Sequence, residues 1–193
     1  MIAAGAALVA TAAVGSLVFA RSGHSQATDT SPFPVGLAFT QPEWASVKAR
    51  LTQQGFDPST LRVVSGMRTQ SPSGPLALIR ARSRSRGLCF VGVRGVQPGS
   101  ATCSLSGRLQ KPLLVFATAD RMSDGHKMTD IVGVARHAIV GVSMIDHRGF
   151  ESGVALVPSV GGLWSVTGGY SDPKIVVRAR LASGHIAAEL KLP

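Results

Sequence analysis

Four arginines alternate with small residues between positions 80 and 86, and this is the most unusual local feature of the chain. The residues are Arg80, Arg82, Arg84 and Arg86. On an extended strand, a period of two would place all four guanidinium groups on one face. A rigid row of this kind is able to bind phosphates or carboxylates through paired hydrogen bonds. The alternative is a solvated edge strand that runs into a loop, where positive charge discourages pairing with other strands.

The two cysteines, Cys89 and Cys103, flank a segment that is typical of a turn, 95–99 (GVQPG). If residues 88–93 and 100–105 form the arms of a hairpin centred on Val96, the two cysteines face each other across it. Facing residues are close enough for a disulfide, which persists in an oxidising compartment. The alternative is a pair of buried free thiols in a cytosolic protein. The sequence has no CxxC motif and no cluster of Cys and His, so we predict no zinc site.

The sequence contains none of the common catalytic signatures. There is no Walker A motif, no GxGxxG after a strand, no HExxH and no GxSxG. Asp146 and His147 with a distant serine would make a triad only if the fold brought them together. The segment 120–130 resembles a calcium loop, but Ile131 stands where the bidentate acid belongs, so we interpret it as a hairpin. We therefore predict no catalytic residue, metal or cofactor and favour a non-enzymatic role, with a secreted hydrolase as the alternative.

The charge balance predicts an anionic partner. Twenty Lys and Arg against ten Asp and Glu give a net charge of +10, which attracts nucleic acid, anionic lipid or cell-wall polymers. The aromatic spacing that stacks bases is missing, as are helix-turn-helix and zinc-finger patterns, so we do not expect nucleic acid to be the partner. Nucleic-acid binding through the arginine row stays open as an alternative.

The first twenty residues, from Met1 to Ala20, carry no charged side chain. They are long enough to cross a bilayer as a helix. We favour a membrane anchor that leaves the rest of the chain outside the cytoplasm. A leader cleaved after Ala20 is the second interpretation, although no Lys or Arg precedes the apolar run. A buried core helix is the third.

The remaining chain predicts a linker and one mainly β domain. Residues 21–39 are polar, contain two prolines and show no periodicity, which is typical of a linker. Thr40 and Glu43 predict the start of a short amphipathic helix over 41–54. Beyond it, short apolar runs alternate with turn signals, which predicts an antiparallel sandwich or barrel-like sheet over 40–193. The predicted strands are 61–66, 76–82, 88–93, 101–105, 113–119, 131–135, 139–146, 153–157, 163–167, 174–181 and 185–190.

The valine-rich segment 131–149, followed by 154–158 and 163–166, resembles the closing part of uncharacterised bacterial single-pass extracytoplasmic β-rich proteins. Those proteins have a valine-rich strand pair, an Asp-x-x-Gly turn and a strand that ends in an aromatic residue. Residues 87–91 with Cys103 are similar to their cysteine hairpin. One departure is His137, which with the following alanine stands where a turn such as Asp-Gly is expected. The resemblance implies the location and the fold, and it implies no catalytic residues. From the apolar start, the linker and the cysteine hairpin we favour a membrane-tethered extracytoplasmic domain that binds or senses a ligand.

Overall fold

The computed structural model describes residues 38–69, 73–122, 124–171 and 174–192. The predicted membrane segment, 1–20, and most of the predicted linker lie outside these residues. Within the described part of the chain, no helix is long and apolar enough to span a bilayer. Ala38 and Phe39, the last two residues of the linker range, are buried in the core.

The described chain is mainly β, with antiparallel sheets and one α-helix, as the sequence predicts. A short 3₁₀ turn, Pro58–Thr60, follows the helix. The elements in chain order are α1 (Gln41–Gln53), β1 (Arg62–Met67), β2 (Leu76–Ser83), β3 (Gly87–Arg94), β4 (Gln97–Ser104), β5 (Leu113–Arg121), β6 (Lys127–Arg136), β7 (Ile139–Ile145), β8 (Glu151–Val154), β9 (Leu156–Ser159), β10 (Leu163–Tyr170), β11 (Val176–Leu181) and β12 (Ile186–Lys191).

The predicted start of α1 is confirmed in detail. The Thr40 hydroxyl accepts the Glu43 backbone N–H, and the Glu43 carboxylate accepts the Thr40 N–H at 2.6 Å. This reciprocal capping box satisfies two N–H groups that the first turn otherwise leaves unpaired. The buried Val47 and Leu51 then fix which face of α1 lies against the sheet.

The strands form three four-stranded sheets rather than the single sandwich or barrel-like sheet that we predicted. Sheet A has the order β1-β2-β3-β4, sheet B the order β5-β6-β10-β9, and sheet C the order β12-β11-β7-β8. Three buried clusters of apolar side chains join α1 to sheet A, sheet A to sheet B, and sheet B to sheet C. The molecule is therefore a stack of four layers in which sheet B is covered on both faces.

Strand β6 shows why the strand pattern did not reveal this stack. Val132 and Val134 face sheet A, while Ile131 and Ala135 face sheet C. A strand that is buried on both faces has a continuous apolar run, so it lacks the alternation that identifies a sandwich strand.

Two local expectations were wrong. The run 153–157 is two strands, because the chain leaves sheet C after Val154 and enters sheet B at Leu156. The valine-rich strands β6 and β7 do not pair with each other but belong to sheets B and C. The turn at His137 therefore connects two layers, and it needs none of the residues that a tight hairpin requires.

Candidate anion-binding surface

The four predicted anion-binding arginines lie in one region but not in one row. Arg80 and Arg82 lie on β2, whereas Arg84 and Arg86 lie in the turn that leads to β3. The row along one extended strand does not form, because β2 ends at Ser83 and the chain reverses. The loop of the alternative interpretation is present, but β2 lies between β1 and β3 and is not an edge strand. The reversal ends at Gly87, which has φ +74°, and a Cβ there would lie 2.6 Å from the Ser104 carbonyl oxygen.

The guanidinium groups spread around this end of the molecule. Arg80 is half-buried, and its Nη1 lies 3.2 Å from the position that a Cβ on Gly161 would occupy. Arg86 lies over the Phe56 ring, with its guanidinium carbon 5.4 Å from the ring centroid. The arginines therefore face several directions around one end of the stack.

Further cations lie at the same end. Arg62 is the direct cross-strand partner of Arg80. The connection 105–112 follows β4 next to Gly87 and ends beside Arg136, whose N–H donates to the Pro112 carbonyl. We call the following eight side chains the basic end: Arg62, Arg80, Arg82, Arg84, Arg86, Arg108, Lys111 and Arg136. All of them are exposed except the half-buried Arg80.

None of the eight side chains of the basic end is within 4.0 Å of a carboxylate that the structure describes. The arginines that do form ion pairs lie elsewhere: Arg68 pairs with Glu43, and Arg178 and Arg180 pair with Glu151. Unpaired cations that are close in space produce a positive potential, which attracts anions.

Asp57 is the one described acid at the basic end. Its Oδ1 accepts the Ser59 N–H at 2.9 Å and the Ser59 hydroxyl at 2.7 Å. These bonds, with a smaller contribution from the charge of Arg84, hold the pKa of Asp57 below its ordinary value. Asp57 is therefore ionised at neutral pH and offsets only one of the eight cations.

The predicted disulfide is confirmed and lies next to the basic end. Cys89 and Cys103 are facing partners on β3 and β4 and are bonded. Cys89 is two residues from Gly87, so the bond ties the β3 end of the turn that carries Arg84 and Arg86 to β4.

A buried ionic cluster at the opposite end was not found from the sequence. Arg94 on β3 pairs with Asp120 on β5 and, at 3.4 Å, with Asp130 on β6, so it links sheets A and B. The Asp130 side chain is 1% exposed, and burial raises its pKa while Arg94 opposes the rise. One signal was available: a period of two from Val134 and Val132 places Asp130 on the same buried face.

The other residues that we considered for chemistry take part in turns. Asp146 Oδ1 accepts the backbone N–H groups of Arg148 and Phe150 at 2.9 and 2.8 Å. The calcium-like segment is the expected β5–β6 hairpin, in which Asp124 accepts the His126 N–H at 3.0 Å. Among the residues with described positions, no three His, Cys, Asp or Glu are grouped to hold a metal ion.

Comparison with protein-family models, with curated proteins and with solved structures gives no match for this chain. The basic end and the disulfide beside it are therefore the features from which we infer a function.

Proposed function

We propose that this protein is a non-enzymatic binding domain, held outside the cytoplasm by residues 1–20, whose basic end binds a polyanion. The observation that carries this proposal is the group of eight cations that have no described carboxylate within 4.0 Å of their side chains. A folded domain keeps such a group at a cost in self-repulsion, and a bound polyanion removes that cost.

The chemistry of the cations favours phosphate or carboxylate groups. Seven of the eight are arginines, whose planar guanidinium matches two oxygens of one anion. Their spread over several directions suits a flexible polymer that wraps around an end of the molecule, whereas a single small anion needs converging donors. The two Cys residues support a location outside the cytoplasm, because disulfides form and persist in oxidising compartments.

Binding of long-chain polyphosphate to the full-length protein, measured over a range of salt concentrations, tests the proposal. We expect the affinity to fall steeply with salt, because each phosphate contact releases a counterion. The triple variant Arg82→Gln, Arg84→Gln, Arg86→Gln removes three contacts. At about 0.7 in the logarithmic slope per contact, it lowers that slope by about 2 and the affinity about 50-fold at 0.15 M salt.

A matched control separates the basic end from net charge. The side chains of Arg121, Lys127 and Arg148 are exposed, have no described carboxylate within 4.0 Å and lie at the opposite end. The triple variant Arg121→Gln, Lys127→Gln, Arg148→Gln changes the net charge equally, and we expect it to keep the slope. Equal losses in both variants, or an affinity that does not respond to salt, would contradict the proposal.

The location outside the cytoplasm needs its own test. Protease added to intact cells should degrade the domain while a cytosolic control protein stays whole. If the domain is cut only after lysis, the topology is the reverse of the one that we propose.

A further inference from the structure

We infer that the basic end points away from the membrane and binds a polyanionic polymer of the cell exterior rather than the head groups of the bilayer that holds the protein. This inference rests on the proposed function, since it takes the membrane segment and anion binding as given. It adds the orientation of the domain and the class of the partner.

The chain joins the described domain at the end opposite the basic end. Ala38 packs against Gly66, where an added Cβ would lie 2.8 Å from the Ala38 Cβ. Gly66 faces Ala77 near the start of β2, and the basic turn begins where β2 ends. The connection to the predicted membrane segment and the basic turn are therefore separated by the length of β2.

The position of helix α1 also places the basic end opposite the point where the chain enters the domain. Helix α1 begins at the Thr40 capping box near Ala38, and the segment after it reaches β2 at the Phe56–Ser83 bridge. A 13-residue helix is about 20 Å long, and eight strand residues span about 25 Å. The domain therefore holds the turn that carries Arg84 and Arg86 about 20 Å from the point where the chain enters.

This separation is large compared with the reach of the charge on a membrane surface. That potential decays within a Debye length, about 8 Å at physiological salt. With the entry end nearest the bilayer, the turn that carries Arg84 and Arg86 is more than two Debye lengths beyond the head groups, where a partner that extends outward reaches it.

Docking of the basic end onto the bilayer is the competing possibility. Leu105, 84% exposed and next to Gly87, is the side chain that would enter the head-group region. A single exposed leucine is common on protein surfaces and does not form an apolar patch. The distance between the chain entry and the basic end is therefore stronger evidence against docking on the bilayer than Leu105 is for it.

Energy transfer from the protein to a lipid dye measures the orientation directly. Both native cysteines are in the disulfide, so Ser85→Cys and Ala45→Cys each give one labelling site on the full-length protein in lipid vesicles. Ser85 lies in the basic turn, and Ala45 lies in the first half of α1 near the chain entry. We expect stronger transfer from position 45 than from position 85, in neutral vesicles and in vesicles that contain phosphatidylserine alike.

Polyphosphate binding to the same vesicles distinguishes a failure of this inference from a failure of the proposed function. We expect equal affinity in neutral and anionic vesicles, and no change in transfer from position 85 on Leu105→Ser substitution. The inference is overturned if, in anionic vesicles, transfer from position 85 equals or exceeds that from position 45, or if anionic lipid competes with polyphosphate. If polyphosphate does not bind in either vesicle, the proposed function itself fails.

Discussion

Arg62 and Arg80 face each other directly across β1 and β2, with no described carboxylate within 4.0 Å of either. Like charges in facing positions of a sheet are destabilising. Arg62 donates to the carbonyls of Ser59 and Leu61, at 3.0 and 2.9 Å, which are neutral acceptors and leave its charge unbalanced. The pair therefore places two positive charges together where an anion would stabilise the fold.

A bound polyanion should raise the stability of the protein. Polyphosphate at one hundred times its dissociation constant is expected to increase the free energy of unfolding by up to about 2.7 kcal/mol, the value for a ligand that binds the folded state alone. Chemical denaturation with and without polyphosphate measures the increase. Chloride at the same ionic strength is the control; a gain of equal size in chloride would mean that general screening, and not binding at the basic end, relieves the repulsion.

The contact between Gly92 and Phe116 predicts a strong effect of a single methyl group. A Cβ on Gly92 would lie 2.4 Å from the Phe116 ring, so Gly92→Ala should lower the free energy of unfolding by about 1–3 kcal/mol. Gly141→Ala is the matched control, because a Cβ at that position meets nothing within 4 Å. Denaturant unfolding of both variants measures the two free energies of unfolding. Similar decreases at the two positions would refute the packing of sheet A on sheet B through the Phe116 ring.

The Arg94 cluster predicts a dependence of stability on pH. Arg94→Gln leaves the buried Asp130 without the cation that it pairs with and should cost about 3 kcal/mol at pH 7. The pKa of Asp130, already raised by burial, rises further without Arg94, so the folded variant holds a proton more tightly than the unfolded chain. Its stability therefore falls as pH rises from the ordinary carboxyl pKa through the raised value.

Unfolding of the Arg94→Gln variant between pH 4 and pH 7 measures this effect. The deficit relative to the native protein should be largest at pH 7 and shrink in acid. The double variant Arg94→Gln, Asp130→Asn carries no charge at position 130, and its deficit should depend less on pH. A deficit of the single variant that is constant over this range would show that Asp130 does not titrate in the folded protein.

The disulfide should contribute measurably to stability. It closes a loop of fourteen residues in sequence separation, for which the loop-entropy model gives about 3 kcal/mol. We expect reductant to lower the free energy of unfolding of the native protein by about this amount. The free energy of unfolding of the Cys89→Ala, Cys103→Ala variant should not change with reductant. A change in that variant would show that reductant acts on something other than this disulfide.

The sequence predicted the features that depend on neighbouring residues. The capping box at Thr40 and the facing of Cys89 and Cys103 follow from spacings of a few residues around a helix start and a turn. Most strands were placed correctly for the same reason, because turn residues separate them.

The features that depend on contacts between layers could not be predicted in this way. Arg94 and Asp130 are 36 residues apart, and they meet only because sheet A packs on sheet B. The placement of Arg136 at the same end as the arginine turn depends on the same packing. The arginine spacing indicated an extended row. A period of two holds only along a strand, however, and the chain turns between Ser83 and Gly87, so Arg84 and Arg86 do not continue the row.

Hydrogen exchange of the full-length protein with and without polyphosphate tests the central claim most directly. We predict slower exchange at backbone amides of residues 82–88 and of the connection 105–112, and unchanged exchange at residues 120–128 and 146–150 of the opposite end. Slowing at the opposite end, or slowing spread evenly over the chain, would contradict the assignment of anion binding to the basic end.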